Sequence, residues 1–434
     1  MSVRDIFVIV FIVGSLPFCF FRPFYGILLW TVVSILNPQQ YTWGLLYAPV
    51  SLAIAIPTLV GCLIFVHGWQ NLFSKTEGLV VVLWLWFTFT TVACTRMPEF
   101  VHFADYTWYR WGFVSKIMVM ALTTVGIVNT WERLRWLVLA IAGSFGVLVA
   151  KAVPFMIVTG GEFRLYGPPG TMMSDNNDMG LGLTMTLPIF YFLAQTEFDR
   201  RVKWLMGFLF VSTIPAILFT YSRGALLGLI AVLLMMVLRS RRRLILIPVL
   251  ILGALFAVLF TPERWQYRMD FRREGALVDS SAMGRINAWT YSWRLALDYP
   301  LTGGGFEAFT PELFRRYAPD PRDVHGPHSI YFGVLAEHGF VGLGLYLFLI
   351  GSCIVGLSRA ARYGRDMGIA LPAGYGPMLQ YSFVGFLVTG AFLGRAYFDY
   401  FFIILACSMV LGRLCKLDAA GLLAAEPAME EQTA

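Results

Sequence analysis

The chain has 434 residues, of which 58% are hydrophobic and only 14% are charged. About a quarter of the residues in a typical soluble domain are charged, so this composition excludes a soluble globular protein. It also excludes a disordered chain, because disorder requires low hydrophobicity. We attribute the formal net charge of +7 to basic loops on one side of a membrane and expect no nucleic-acid partner. The composition predicts an all-α polytopic integral membrane protein.

Apolar runs of roughly bilayer-spanning length recur along the whole chain. The first two are short and are separated by Arg22 and Pro23, which predicts a helical hairpin that does not fully cross the membrane. No internal repeat is visible, which weakens the alternative of a transporter built from inverted repeats. We expect about 12 transmembrane helices from runs at residues 6–20, 23–36, 49–66, 78–95, 113–130, 134–157, 179–195, 204–220, 223–238, 244–260, 329–357, 375–394 and 396–413.

Short loops rich in Arg and Lys predict the orientation, because such loops stay in the cytoplasm. Counting the crossings between the basic clusters places all of them on the same side. The clusters lie at residues 133–135, 200–203, 239–243, 359–365 and 413–416.

The chain divides into four predicted parts. These are a transmembrane bundle of about 9–10 helices at 1–260, a long periplasmic loop with amphipathic helices at 261–328, C-terminal transmembrane helices at 329–413 and a cytoplasmic tail at 414–434.

The long loop carries nine Arg and nine acidic residues, and its composition is not that of a linker. Residues 281–299 predict an amphipathic helix suited to the membrane interface. Its apolar side would carry Met283, Ile286, Trp289 and Trp293.

The first motif of the predicted periplasmic side is TYSRG at residues 220–224. Ser222 can cap the following helix, and Arg223 lies in its first turn beside exposed backbone N–H groups. This combination predicts an anion site. The alternative is an Arg that extends to the membrane surface for structural reasons.

The second motif is GRINAW at 284–289, followed by PLTGGGF at 300–306. Arg285 is a candidate second phosphate ligand. A run of three glycines allows the backbone to approach a ligand closely, or simply to form a tight turn. The candidate substrate-binding residues here are Gly303, Gly304 and Gly305.

The third motif extends from Gly326 to Gly339 and contains His328 at the start of a predicted membrane helix. A histidine at that boundary can accept a proton near neutral pH, as a general base must. Glu337 lies about 13.5 Å further along the helix axis, so we expect it to bind another Arg or to cap a turn. Tyr331, Glu337 and His338 are further candidate substrate-binding residues, His338 being a weaker candidate base.

The fourth motif is RAYFD, from Arg395 to Asp399. An Asp close to an Arg within the membrane indicates either a functional site or a structural ion pair between helices. We include both residues among the substrate-binding candidates. Residues 175–178 (DNND) begin another helix and predict cap chemistry.

In their order and spacing, these motifs resemble the O-antigen ligase and polymerase superfamily. The matching features are the Ser-Arg-Gly, the Gly-Arg-x-x-x-Trp with its glycine-rich turn, and the His-Ser-x-Tyr that precedes Glu-x-Gly. Family members usually have Asn after the His, so Ser329 is a departure. Residues 22–44 resemble a subgroup named as O-glycosylation ligases.

The resemblance implies a GT-C-like glycosyltransferase of the bacterial inner membrane with its active site facing the periplasm. It would transfer a glycan from undecaprenyl diphosphate, invert the anomeric centre and need no metal ion or other cofactor. A ligase would transfer to a sugar hydroxyl of lipid A-core among membrane lipids. The alternatives are an O-antigen polymerase, a protein O-oligosaccharyltransferase and, in a different class, a polysaccharide transporter or flippase. Catalysis would fall to His328, Arg223 and Arg285.

Overall fold

The computed structural model describes residues 2–46, 48–65, 75–240 and 280–422, together with 243, 244 and 247. Within these residues the chain is helical and contains no strand. Nearly all of the predicted run at 244–260, and the first part of the predicted long loop, lie outside the described residues.

A helix is present at each of the other predicted runs. The α-helices of the described residues are α1 (Val3–Phe21), α2 (Pro23–Leu36), α3 (Val50–Phe65), α4 (Lys75–Cys94), α5 (Ala104–Ile127), α6 (Trp131–Thr159), α7 (Asn176–Thr196), α8 (Arg200–Leu218), α9 (Arg223–Leu238), α10 (Ser280–Asp298), α11 (Pro311–Tyr317), α12 (Ile330–Met367), α13 (Ala370–Gly390) and α14 (Asp399–Ala419).

Among the described helices, seven are long and apolar enough to cross a membrane, namely α1, α4, α6, α7, α8, α12 and α14. Helices α2, α3 and α9 are apolar but shorter. The all-helical, membrane-spanning class is therefore confirmed, whereas about 12 crossings stay a prediction. In the N-terminal hairpin, α1 alone has the length of a span, with 19 residues.

Contacts between helix ends gather the basic clusters at one end of the bundle. Arg135 at the start of α6 pairs with Glu197 just after α7 at 2.5 Å. Near the ends of α12 and α14, the Tyr363 hydroxyl donates to Asp418 at 3.0 Å. Arg413 donates to backbone oxygens at the end of α5. We call this end of the bundle, near the described residues of the five basic clusters, the basic end.

The opposite end, which we call the loop end, is formed by residues 160–175, 219–222, 299–329 and 391–398. The Asn176 side chain at the start of α7 donates to the Thr220 backbone oxygen at 2.6 Å. The Tyr221 hydroxyl donates to the Gly161 oxygen, also at 2.6 Å. All four sequence motifs lie at or near this end.

Helices α7 and α14 form the centre of the bundle, with 72% and 83% of their spans buried inside the protein. Buried hydroxyls need hydrogen-bond partners, and Thr186 on α7 and Tyr400 on α14 bind each other at 2.8 Å. This central pair supports the start of α7 and the loop before α14, where candidate site residues lie.

The predicted amphipathic helix is α10, and its two sides differ as expected except at Trp289. Ala288, Tyr291 and Leu295 are completely buried. Trp289 turns inward instead of joining the outer apolar side, because its indole N–H finds a buried partner in a carbonyl oxygen. The outer side exposes Met283, Ile286, Trp293 and Leu297.

Candidate functional site

His328 lies at the loop end, two residues before α12, and its side chain is exposed. Its backbone is left-handed, with φ of 44°, a conformation that costs a non-glycine residue about 1–3 kcal/mol. A methyl group placed on Gly394 would lie 3.7 Å from the His328 Cα, so the loop at 391–398 passes directly beside it. Surrounding contacts must hold His328 in this conformation.

Helix α10 supplies those contacts. The Trp289 indole N–H donates to the Pro327 oxygen at 2.7 Å, and its ring stacks on Phe332 at 5.1 Å. The Asn287 amide donates to the backbone oxygens of Asp320 and Asp323, and its own oxygen accepts from the Asp320 N–H. Asn287 and Trp289 thus hold the segment that leads to His328.

The electrostatic surroundings of His328 favour its neutral form. Partial burial lowers the pKa of His328 below its usual range, and the positive charge of Arg285 lowers it further. His325, whose ring centre is 5.8 Å away, and Arg395 also lower the pKa of His328, while Asp175 opposes them. A neutral imidazole with an exposed edge can accept a proton at neutral pH.

Arg395 does not pair with Asp399, the acidic residue of its own motif. Its guanidinium instead donates hydrogen bonds to both carboxylate oxygens of Asp178 on α7, with Nε donating to Oδ1 at 2.8 Å. Asp399 accepts the N–H of Tyr400 at 2.8 Å. The cap predicted at 175–178 is made by Asp175, which accepts the N–H of Asn177 at 2.8 Å. The ion pair fixes the loop at 391–398 to the start of α7.

Arg223 is the first residue of α9, as expected, and Ser222 caps this helix by accepting the Ala225 N–H at 3.2 Å. A methyl group placed on Gly224 would lie 3.3 Å from the Phe392 Cβ. The start of α9 therefore packs on the turn that leads to Gly394 and Arg395. This contact brings the first motif next to the loop at 391–398, which passes beside His328.

A second polar group at the same end surrounds the buried carboxylate of Glu337. We call it the Glu337 cluster and define it as Glu337, Tyr397, Glu307, Arg110 and His338. Glu337 accepts the Tyr397 hydroxyl at 2.6 Å and the backbone N–H of Glu307 at 3.1 Å. Glu307 has a left-handed backbone, with φ of 59°, and its carboxylate lies 3.4 Å from Arg110. Glu337 thus holds a turn, one of the two roles expected for it.

His338 is completely buried. Its Nδ1 lies 2.7 Å from the Thr90 hydroxyl, its ring stacks on Phe87 at 4.0 Å, and the edge of Phe306 meets it at 4.4 Å. These aromatic walls separate His338 from solvent.

The three glycines pack against a break in α12. At Gly339 the backbone leaves the helical conformation, with φ of 66°. The N–H of Gly304 donates to the Ala336 oxygen at 2.8 Å, and the N–H of Gly305 donates to the Glu337 oxygen at 3.0 Å. A methyl group on Gly303 would lie 2.5 Å from the Ala336 oxygen. The three glycines therefore allow this turn to approach the backbone of α12 closely.

The structure therefore divides the predicted site residues into two groups. His328, Arg285, Arg395 and the start of α9 meet on one side of the loop end, whereas Glu337, His338 and the glycines meet around the break in α12. The Tyr331 hydroxyl donates to the Leu387 oxygen at 2.9 Å and ties α12 to α13. Substrate contacts for these residues and for Asp399 stay predictions.

Sequence reasoning missed the supporting roles of Asp178, Asn287, His325 and Tyr397. Asp178 and Tyr397 lie within the motifs at 175–178 and 395–399, but their partners are distant in the chain. The only feature of the sequence that pointed to Asn287 was its position between Arg285 and Trp289.

Comparison with known proteins yields two family matches. Residues 208–347 match a family model described as O-antigen ligase. Residues 3–198 match a model described as a family of unknown function (DUF5935). No curated protein matches the chain.

Proposed function

We propose, from the match of residues 208–347 to the family model described as O-antigen ligase, that this chain is an O-antigen ligase. It transfers a polysaccharide from undecaprenyl diphosphate to a sugar hydroxyl of lipid A-core during lipopolysaccharide synthesis. The observation that carries the proposal is the position of His328 at the loop end, where its side chain is accessible while partial burial and the charge of Arg285 lower its pKa.

His328 is the proposed general base. A sugar hydroxyl is a weak nucleophile, and removing its proton as it attacks accelerates the reaction. The proton passes to the imidazole, the hydroxyl oxygen bonds to the anomeric carbon, and the bond from that carbon to the diphosphate oxygen breaks. Attack opposite the leaving group inverts the anomeric centre.

Arg285 and Arg223 are the proposed ligands of the diphosphate. Negative charge grows on the leaving diphosphate as the sugar bond breaks, and fixed cationic donors stabilise that charge. A guanidinium suits this role because it is always charged and binds phosphate oxygens through two N–H groups. Arg395 already forms an ion pair with both carboxylate oxygens of Asp178, which balances its charge, so we assign it to the support of the site.

In this proposal, the lipid-linked donor and the lipid A-core acceptor are both anchored in the same membrane. The basic end predicts the cytoplasmic side, so the loop end would face the periplasm of the bacterial inner membrane. The outer apolar side of α10, with Met283, Ile286 and Trp293 exposed, suits the membrane interface next to the lipid tail.

The direct test is transfer by the purified full-length protein in detergent, with a defined undecaprenyl diphosphate-linked glycan as donor. Lipid A-core, a second donor molecule and a protein acceptor are offered separately. Transfer to lipid A-core supports the ligase, elongation of the donor indicates a polymerase, and transfer to the protein indicates an O-oligosaccharyltransferase. Absence of all three products, with glycolipid translocation in vesicles, would replace the proposal by a flippase.

A further inference from the structure

A cavity of about 590 Å³ lies at the basic end, far along the bundle from His328. Its volume is within the range of small-molecule sites. Four helices build its wall, each with residues that share one face. Helix α12 contributes Ser358, Ala361, Arg362 and Arg365, and the others contribute Tyr191, Phe192 and Gln195 of α7, Met236 of α9 with Arg239 and Ser240 directly after it, and Pro377, Gln380 and Tyr381 of α13.

The charges that line this cavity have one sign. Arg239, Arg362 and Arg365 are its ionisable cations, and none of its described lining residues is Asp or Glu. Arg362 and Arg365 are exposed, and no ion pair joins them to a carboxylate within the described residues. Their spacing of three places both guanidinium groups on the same side of α12.

The third arginine is held in place from inside the protein. Arg239 donates to the Gln380 side-chain oxygen at 2.8 Å, and its guanidinium lies 5.8 Å from the ring centre of Tyr381. Gln380 is only 2% exposed, and its amide donates to the Ile354 oxygen and the Ser358 hydroxyl. This network leaves further N–H donors of Arg239 for a ligand, since a guanidinium has five.

We propose that this cavity binds the phosphate group of an anionic phospholipid. Three guanidinium groups, with no carboxylate among the described lining residues, match a phosphate, which arginine binds through paired N–H donors. Basic pockets between membrane helices on the cytoplasmic side are typical sites for acidic headgroups. Phe192, Met236 and Pro377 provide apolar wall for the start of the acyl chains, which a free phosphate lacks.

The proposed lipid site is connected to the loop end by three of its helices. Helix α7 begins near Asp178, α9 begins at Arg223, and α13 ends before the loop with Arg395. A ligand that bridges the other ends of these helices stabilises their packing. The expected consequence is a higher Tm with an anionic lipid, because binding to the folded state alone stabilises it.

The test uses the purified full-length protein in mixed micelles with either phosphatidylglycerol or phosphatidylcholine, with Tm and lipid affinity measured. The double variant Arg362→Gln/Arg365→Gln removes two exposed charges inside the cavity. The matched control Arg200→Gln/Arg201→Gln removes two exposed charges from the same end of the bundle, outside the cavity. We expect the cavity variant to bind phosphatidylglycerol about tenfold more weakly and the control to bind like wild type.

Equal affinity in wild type and both variants would overturn the proposal. An equal loss in both variants would also overturn it, since it would mean a diffuse attraction of the lipid to the basic end. Inorganic phosphate is added in a separate arm. Full stabilisation by phosphate alone, lost in the cavity variant, would replace the lipid by a soluble phosphate ligand.

Discussion

His328 and His338 belong to one motif, yet the structure places them in opposite surroundings. The side chain of His328 is accessible, and partial burial and nearby cations lower its pKa. His338 is completely buried between Phe87 and Phe306. Solvent exposure, rather than residue type, therefore separates a candidate base from a structural histidine in this chain.

The two regions around these histidines also use their polar groups differently. Near His328, Trp289 and Asn287 bind backbone groups, which positions the loop while the His328 ring keeps an exposed edge. In the Glu337 cluster, the carboxylate is occupied by Tyr397 and by a backbone N–H. We therefore expect changes near His328 to affect the reaction, and changes in the Glu337 cluster to affect stability first.

The largest expected effect comes from removing the proposed base. His328→Ala lowers the transfer rate by about 10²–10⁴-fold, because it removes the group that accepts the proton of the sugar hydroxyl. The matched variant, His338→Asn, can still bind Thr90 but cannot act as a base. It should lower Tm and retain most of the transfer rate per folded protein. A loss of transfer in folded His338→Asn equal to that in His328→Ala would remove the proposed distinction.

Arg285→Gln should lower the transfer rate by about 10²-fold, the typical cost of one donor to a developing negative charge. It should also change the pH dependence. The positive charge of Arg285 lowers the pKa of His328, so its removal raises that pKa. The rate of a base-dependent reaction falls as its base becomes protonated, so the acidic limb of the pH–rate profile should move to higher pH.

The pH profile of Arg322→Gln provides the control, because this exposed arginine lies on the same loop and is not among the groups that shift the pKa of His328. An unmoved acidic limb in Arg285→Gln would contradict the electrostatic role of this residue.

Gly303→Ala tests the packing at the break in α12. Its φ is 61°, and the added methyl would lie 2.5 Å from a backbone oxygen, so we expect a loss of about 1–3 kcal/mol of stability. The control is Gly344→Ala on α12, where a methyl meets nothing within 4 Å. The Tm of both variants in detergent measures the difference. Equal Tm values would show that the glycine turn is not constrained by α12.

The smallest expected effect is that of Glu337→Gln. The amide replaces one carboxylate oxygen by a donor, so either Tyr397 or the N–H of Glu307 loses its acceptor, at a cost of about 1 kcal/mol. Glu312→Gln is the control, because its carboxylate is 62% exposed. Transfer measured on the folded fraction should be retained in both. A selective loss of transfer in Glu337→Gln, without a change in Tm, would move Glu337 into the proposed catalytic site.

Helix positions were predictable because an apolar run must satisfy its backbone hydrogen bonds internally within lipid. The cap at Ser222 was also predictable, since a cap depends on residues that are close in the chain. The partner of Arg395 was not, because Asp178 lies on another helix, whereas Asp399 is four residues away. The inward position of Trp289 likewise depends on a carbonyl oxygen of a distant loop.

Composition and short-range patterns in the sequence were enough to predict the helical membrane class, the grouping of basic loops and the motifs that resemble those of O-antigen ligases. These properties follow from composition and from short-range patterns. Which polar residues share a site, in contrast, depends on the tertiary structure. Helices pack through side chains that are distant in sequence, and that packing exposes His328, buries His338, directs Arg395 to Asp178 and places three arginines around one cavity.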